Sequence, residues 1–102
     1  MGKKILQINL KYKVTPEEIS KAFMELAQPI ADSKGLEWKT WLHDEKEKTA
    51  GGIYLFKNEA SVKAYLDSEI VAGIMSHPAL GDIDAKVFDV LPEHSKITRA
   101  PI

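Results

Sequence analysis

Four segments of the chain have the residue pattern of β-strands, and the first of them alternates hydrophobic and polar residues as a strand with one buried face does. In the first segment, Leu6, Ile8, Leu10 and Tyr12 share one face and polar residues occupy most of the other. The third segment is apolar on both faces, as expected of a strand in the middle of its sheet. The four predicted strands cover residues 3–13, 36–43, 51–56 and 82–91.

Helical periodicity separates these strands in two places. Thr15 as N-cap, Pro16 at the first helical position and Glu18 three residues after the cap predict a helix start with a capping box. A second helical region is predicted to begin after Asn58 and to continue as another helix over residues 68–76. The apolar stripe of the first helix consists of Ile19, Ala22, Phe23, Leu26 and Ile30.

The order of these elements is strand, helix, strand, strand, helix, strand, which predicts a ferredoxin-like α+β domain. Residues 1–102 would form this single domain, a four-stranded antiparallel sheet with its helices on one face. We expect the bare face to carry residues such as Trp41, Phe88 and Val90, or their alternates on the same strands, and to form a homodimer by packing sheet against sheet. The tail beyond Pro92 is expected to be irregular.

The second strand contains both tryptophans of the chain, and their spacing directs them to opposite faces. Trp38 is predicted to share a face with Leu36, Thr40 and Leu42, whereas Trp41 is predicted to share the other face with Glu37, Lys39 and His43. One indole can therefore enter the core while the other lies among charged neighbours, where a ligand or partner would cover it. The sequence leaves open which of the two faces a pocket.

Composition narrows the classes of function. Hydrophobic residues make up 44% and charged residues 28% of the chain, and the formal net charge is −1, which predicts a globular protein without an electrostatic footprint for nucleic acid. The chain has no cysteine, no apolar run of membrane-spanning length and no signal-peptide pattern, so we expect a cytoplasmic protein that does not bind a membrane. The histidines at positions 43, 77 and 94 are too scattered to predict a metal site.

Two segments resemble a known family. The stretch over residues 36–56, with two tryptophans three residues apart and the ending AGGIYLF, and the AKVFDV segment at residues 85–90 closely resemble the YdhR-type monooxygenase family. The resemblance implies a dimeric α+β barrel, a superfamily that includes cofactor-independent monooxygenases of aromatic polyketides and haem-degrading enzymes. It thus predicts a cofactor-independent monooxygenase that oxidises a small aromatic or quinol-like substrate.

The same resemblance suggests site residues. Oxygenases that form quinones use tryptophan, asparagine and tyrosine around an aromatic substrate, which is similar to Trp38 or Trp41 with Asn9 and Tyr54 in this chain. His77 is the candidate base for a phenolic proton. The haem-degrading pattern fits less well, because Tyr65 stands where a tryptophan is expected and His77 is offset by about half a helical turn. The residues predicted to bind substrate are Tyr65, Phe56 and Phe23.

Two other functions fit the same residues. A dimeric module could bind a small apolar ligand without changing it, or the aromatic residues could serve only the core and the interface. Oxygen consumption distinguishes the first function from the second, and stabilisation by ligands distinguishes the second from the third.

Overall fold

The computed structural model describes residues 2–102 and has the predicted order of strands and helices, including the predicted division of the second helical region in two, with a short helix added at the end. The elements are β1 (Lys4–Tyr12), α1 (Pro16–Ala31), β2 (Leu36–Asp44), β3 (Thr49–Phe56), α2 (Glu59–Leu66), α3 (Glu69–Ser76), β4 (Leu80–Asp89) and α4 (Pro92–Ile97).

The four strands form one antiparallel sheet in the order β2-β3-β1-β4, so the ferredoxin-like α+β prediction is confirmed. The face that packs against α1, α2 and α3 is called the helix face, and it carries the predicted core residues of β1. The opposite face, called the outer face, carries Ile5, Asn9 and Leu55. The core contains Leu6, Ile8, Ile30, Tyr54, Phe56, Val62, Tyr65 and Val71.

Side chains cap the three helices of the helix face, as their N-terminal sequences require. Thr15 accepts a hydrogen bond from the backbone N–H of Glu18, whose carboxylate accepts one from Thr15 in return, so the predicted capping box is confirmed. Asn58 caps α2, and Ser68 caps α3. These caps satisfy N–H groups that a helix cannot pair internally.

A β-bulge at the start of β2 changes the predicted facing of this strand. Leu36 pairs with Phe56, but Trp38 pairs with the next residue, Leu55, so one residue is extra on β2. Leu36 therefore lies on the helix face and Trp38 on the outer face, and the expectation that they share a face is wrong. Trp41 pairs with Gly52 on the helix face.

The expectation that Trp41 of β2 lies on the bare face with Phe88 is also wrong. Phe88 pairs with Ile5 of β1, which places it on the outer face with Trp38, while Trp41 contacts Phe23 of α1. Phe88 does lie on the outer face as expected, and 47% of its surface is exposed.

The C-terminal segment covers part of the outer face. Pro92 occupies the first turn of α4, so the prediction of an irregular tail is wrong for residues 92–97. Beyond this helix, the backbone carbonyl of Pro101 accepts a hydrogen bond of 2.8 Å from the indole Nε1 of Trp38. This segment lies against the outer face near Leu55, which is completely buried.

Gly51 and Gly52 precede the aromatic part of β3, and a side chain at either position would meet a close neighbour. A Cβ at Gly51 would lie 1.9 Å from the carbonyl oxygen of Ile8, because the backbones of β1 and β3 approach closely there. A Cβ at Gly52 would lie 2.5 Å from Cε of Lys39.

Among residues 2–102, no helix has the length and apolar character needed to cross a membrane.

Candidate functional site

A cleft of about 440 Å³ lies between α1 and α3 on the helix face. Its volume is within the range of cavities that bind small organic molecules, and its walls are almost entirely apolar. Gly73 lies in the wall that α3 contributes, and a Cβ added there would meet no atom within 4 Å. The apolar lining consists of Val14, Ile19, Ala22, Phe23, Leu26, Ile70, Ile74, Ala79 and Leu80.

Three polar side chains line this cleft, and all of them belong to exposed residues. The Glu18 carboxylate is engaged in the capping box, and its hydrogen bonds to Thr15 lower its pKa. The carboxylate of Glu69, in the first turn of α3, makes no hydrogen bond or ion pair within the described chain. His77 is the third polar group.

The hydrogen bonding of His77 defines which ring nitrogen carries the proton. Its Nδ1 accepts a hydrogen bond of 3.1 Å from the backbone N–H of Ala79. Nδ1 therefore has no proton in the neutral ring, and Nε2 carries it. Neutral His77 thus offers a hydrogen-bond donor at Nε2.

Tyr54 and Tyr65 form a buried hydroxyl pair beneath the cleft. Their oxygens are 3.1 Å apart, and 2% and 3% of their surfaces are exposed. Phe56 contacts the Tyr65 ring at a centroid distance of 5.5 Å. Burial raises the pKa of the Tyr54 hydroxyl far above its ordinary value, and also raises that of Tyr65, so both are neutral phenols at physiological pH.

Trp41 connects α1 with the β2 edge of the sheet. Its indole lies 5.1 Å from the ring of Phe23, measured between centroids, and 36% of its surface is exposed. On the other side, the Nζ of Lys39 lies 3.3 Å from the Trp41 ring centroid and 4.5 Å from that of Tyr54. A cation–π contact at these distances is attractive.

The structure brings six of the predicted site residues to the helix face and leaves two on the outer face. Phe23 and His77 line the α1–α3 cleft itself. Asn9 pairs with Gly51 on the outer face and is exposed, and Trp38 lies on the same face. The sheet therefore separates Asn9 and Trp38 from the helix-face residues Trp41, Tyr54, Tyr65, Phe56, Phe23 and His77.

Sequence reasoning missed three residues that the structure places at or near the cavities. Glu69 and Gly73 line the cleft, and a glycine inside a helical pattern is a recognisable signal of a packing or functional constraint. Lys39 was assigned to the face of Trp41, but its contact with two aromatic rings has no sequence signature. Within the described residues, no group of three or more His, Asp or Glu side chains could hold a metal ion.

The fold and the cleft define a ferredoxin-like α+β protein with a cavity of ligand size between its helices. The chain belongs to the family described as "Putative mono-oxygenase ydhR", whose model matches residues 5–101. This membership supports a monooxygenase-like function and confirms the family resemblance of the sequence.

Solved structures with the same fold come from several bacteria. A protein of unknown function from Nitrosomonas europaea is 26% identical, with a TM-score of 0.71 over 89% of this chain and 91% of that chain. SnoaB, a cofactor-independent oxygenase from Streptomyces nogalater, is 16% identical, with a TM-score of 0.71 over 90% of this chain and 99% of that chain.

A dimeric ferredoxin-like protein of unknown function from Thermobifida fusca is 21% identical, with a TM-score of 0.67 over 88% of this chain and 93% of that chain. Comparison with curated proteins gives no significant match.

Proposed function

We propose that this protein is a cofactor-independent monooxygenase that oxidises a small aromatic substrate in the α1–α3 cleft. The observation that carries the proposal is an apolar cleft of about 440 Å³ in a member of this family, lined by a histidine donor and by a carboxylate that has no partner within residues 2–102. The fold shared with SnoaB, a cofactor-independent oxygenase, supports the same reaction class.

The reaction class sets a clear demand on the protein. A CH₂ group between electron-rich aromatic rings becomes a carbonyl, while dioxygen supplies the carbonyl oxygen and its second oxygen atom leaves as water with both hydrogens. The substrate itself provides the electrons after it loses a proton, so the protein has to bind it away from water and favour its anion. An apolar cleft with few polar groups suits this task.

We assign two residues, His77 and Glu69, to the formation and stabilisation of the substrate anion. The Nε2–H of His77 donates a hydrogen bond to the developing phenolate or enolate oxygen, because Nδ1 is already occupied by the N–H of Ala79. The Glu69 carboxylate has no partner in the described chain and accepts the proton that the substrate releases. His77 thus acts as a donor in this proposal, rather than as the base that the sequence suggested.

The proposed assembly is a homodimer that packs outer face against outer face. Phe88 and Trp38 lie on this face, and a dimeric ferredoxin-like protein shares the fold. In such a dimer, Asn9 and Trp38 would belong to the interface and the two clefts would open away from it. The small aromatic substrate is therefore expected to contact one protomer only.

Oxygen uptake by the purified, metal-free protein tests the proposed function. The panel contains anthrone-like phenols and hydroquinones, each with a control for autoxidation without protein. The variant His77→Gln is compared with His94→Gln, which changes a histidine of α4 that does not line the cleft. We expect uptake above autoxidation that falls at least tenfold in His77→Gln and is unchanged in His94→Gln; equal rates in both variants would contradict the role of His77.

A second candidate function is the binding of an apolar ligand without oxidation. It is favoured by the position of the Tyr54 and Tyr65 hydroxyls, which bond to each other and do not line the cleft. Uptake at the autoxidation rate for every compound, together with ligand-induced stabilisation, is the result that would replace the first proposal with this one.

A further inference from the structure

The amine of Lys39, on the helix face, is enclosed by two aromatic rings and lies outside the α1–α3 cleft. Its stem passes over Gly52, where the absence of a side chain makes the room. Its Nζ then lies between the indole of Trp41 and the ring of Tyr54. The sequence of β2 and β3 thus builds a defined position for one ammonium group.

This ammonium has no counter-ion within residues 2–102. No carboxylate lies within ion-pairing distance of Lys39, and the nearby Glu37 is paired with Lys3 at 3.0 Å. The residues of α1 that face Lys39, namely Ala27, Ile30 and Ala31, carry no charge. Burial without a partner lowers the pKa of Lys39 to about 7.

A separate cavity of about 190 Å³ lies between α1 and β2, and Lys39 forms part of its wall. The rest of the wall has both polar and apolar surface: Ile30, Leu36 and Trp41 contribute apolar groups, and Glu37, which is paired with Lys3, contributes a carboxylate. An apolar cavity of about 150 Å³ is large enough to hold benzene. The cavity is therefore of the size of a single aromatic ring, with a cationic group in its wall.

We propose that the cavity between α1 and β2 is a second binding site, which takes a small aromatic carboxylate and holds its anionic group against Lys39. The bound carboxylate supplies the missing counter-ion, and the ring replaces water on the apolar part of the wall. This site does not depend on the proposed oxygenation, because the α1–α3 cleft is lined by other residues of α1 and by α3.

If the carboxylate binds to the protonated amine of Lys39, its affinity must depend on pH. The carboxylate binds to the protonated amine, so binding weakens as pH rises above the pKa of free Lys39. The titratable groups around this position are Glu37 of β2 and Tyr54 of β3, and Tyr54 stays neutral because burial raises its pKa. We expect the dissociation constant to rise by up to roughly a hundredfold between about pH 6 and about pH 9.

Isothermal titration calorimetry with benzoate, and with the neutral analogue benzamide, tests the site on the intact protein. Wild type should bind benzoate at least tenfold more tightly than benzamide. Lys39→Met should lose this preference, while Lys57→Met, which removes an exposed lysine without an ion pair in the described chain, should keep it. If Lys39→Met does not fold, the affinities of wild type for benzoate and benzamide still show whether the site prefers an anion.

Three results would overturn the proposal. They are equal affinity of wild type for benzoate and benzamide, retention of benzoate binding by a folded Lys39→Met protein, and absence of benzoate binding to wild type at millimolar concentration. Catalytic activity is not a readout in this experiment, so failure of the anion site is distinguishable from failure of the proposed oxygenation.

Discussion

The hydroxyl oxygens of Tyr54 and Tyr65 lie 3.1 Å apart in a part of the core where no other polar side chain is buried among the described residues. Each hydroxyl is the hydrogen-bond partner of the other, one from β3 and one from α2. This pair joins the central sheet to the helix layer beneath the α1–α3 cleft.

Because the two hydroxyls are hydrogen-bonded to each other, we expect the effects of Tyr54→Phe and Tyr65→Phe on the free energy of unfolding to be strongly coupled. Tyr54→Phe or Tyr65→Phe alone leaves a buried hydroxyl without its partner, which costs about 1–3 kcal/mol of unfolding free energy. The double variant has no such hydroxyl and should lose less than the sum of the single changes. Urea unfolding of the four proteins measures this coupling, and strictly additive losses would show that the hydroxyls act independently.

Because the pKa of Lys39 is lowered in the folded state, we expect the free energy of unfolding to rise with pH. Its folded-state pKa of about 7 is below the value of about 10.4 in an unfolded chain, so the unfolded state binds more protons between these values. The free energy of unfolding should therefore increase as pH rises from about 7 towards about 10. Lys39→Met should remove this increase and Lys57→Met should not; an identical slope in wild type and Lys39→Met would contradict the assigned burial.

Gly73 allows the cleft to be filled without disturbing its walls. Gly73→Ala should raise the unfolding free energy by about 0.5–1 kcal/mol, because glycine is unfavourable inside a helix. Gly73→Leu should extend a side chain into the space that is open next to Gly73 and displace a ligand. Melting temperatures with and without a naphthol test this pair: stabilisation by ligand should persist in Gly73→Ala and disappear in Gly73→Leu.

Equal stabilisation by naphthol in wild type and in Gly73→Leu would place the ligand outside the α1–α3 cleft. Gly73→Ala is the matched control, since it adds one methyl group at the same position and improves helix propensity.

Two neighbouring residues of β4 test the proposed dimer. Phe88 on the outer face and Val87 on the helix face are exposed to nearly the same extent, 47% and 46%. Phe88→Glu should convert the dimer to a monomer, because it buries a charge in the interface, whereas Val87→Glu should leave the dimer intact. Light scattering measures the mass, and a monomeric wild type or a dimeric Phe88→Glu would contradict this interface.

Much of the fold could be predicted from local patterns. The alternation of β1, the Thr15 capping box and the helical stripe after it act over a few residues, and the sequence contains their full information. The facing of Trp38 and Trp41 could not be predicted, since it depends on one extra residue in a bulge of β2. α4 was missed because six residues with few apolar positions have almost no periodicity.

The candidate site was less predictable than the fold. Phe23 and His77 meet in the cleft because α1 and the end of α3 pack side by side, which sequence spacing does not encode. The proton position of His77 depends on the N–H of Ala79, and the enclosure of Lys39 depends on Gly52 of another strand. The first is a local contact that depends on the backbone conformation after α3, and the second is a tertiary contact.

The most direct test of the proposed monooxygenase is the fate of isotopically labelled dioxygen. The protein is supplied with an anthrone-like substrate under ¹⁸O₂, and mass spectrometry reads the label in the product. We expect one labelled oxygen atom per product molecule, formed faster than without protein and more slowly with His77→Gln. Product without label, or label that accumulates only at the autoxidation rate, would contradict it.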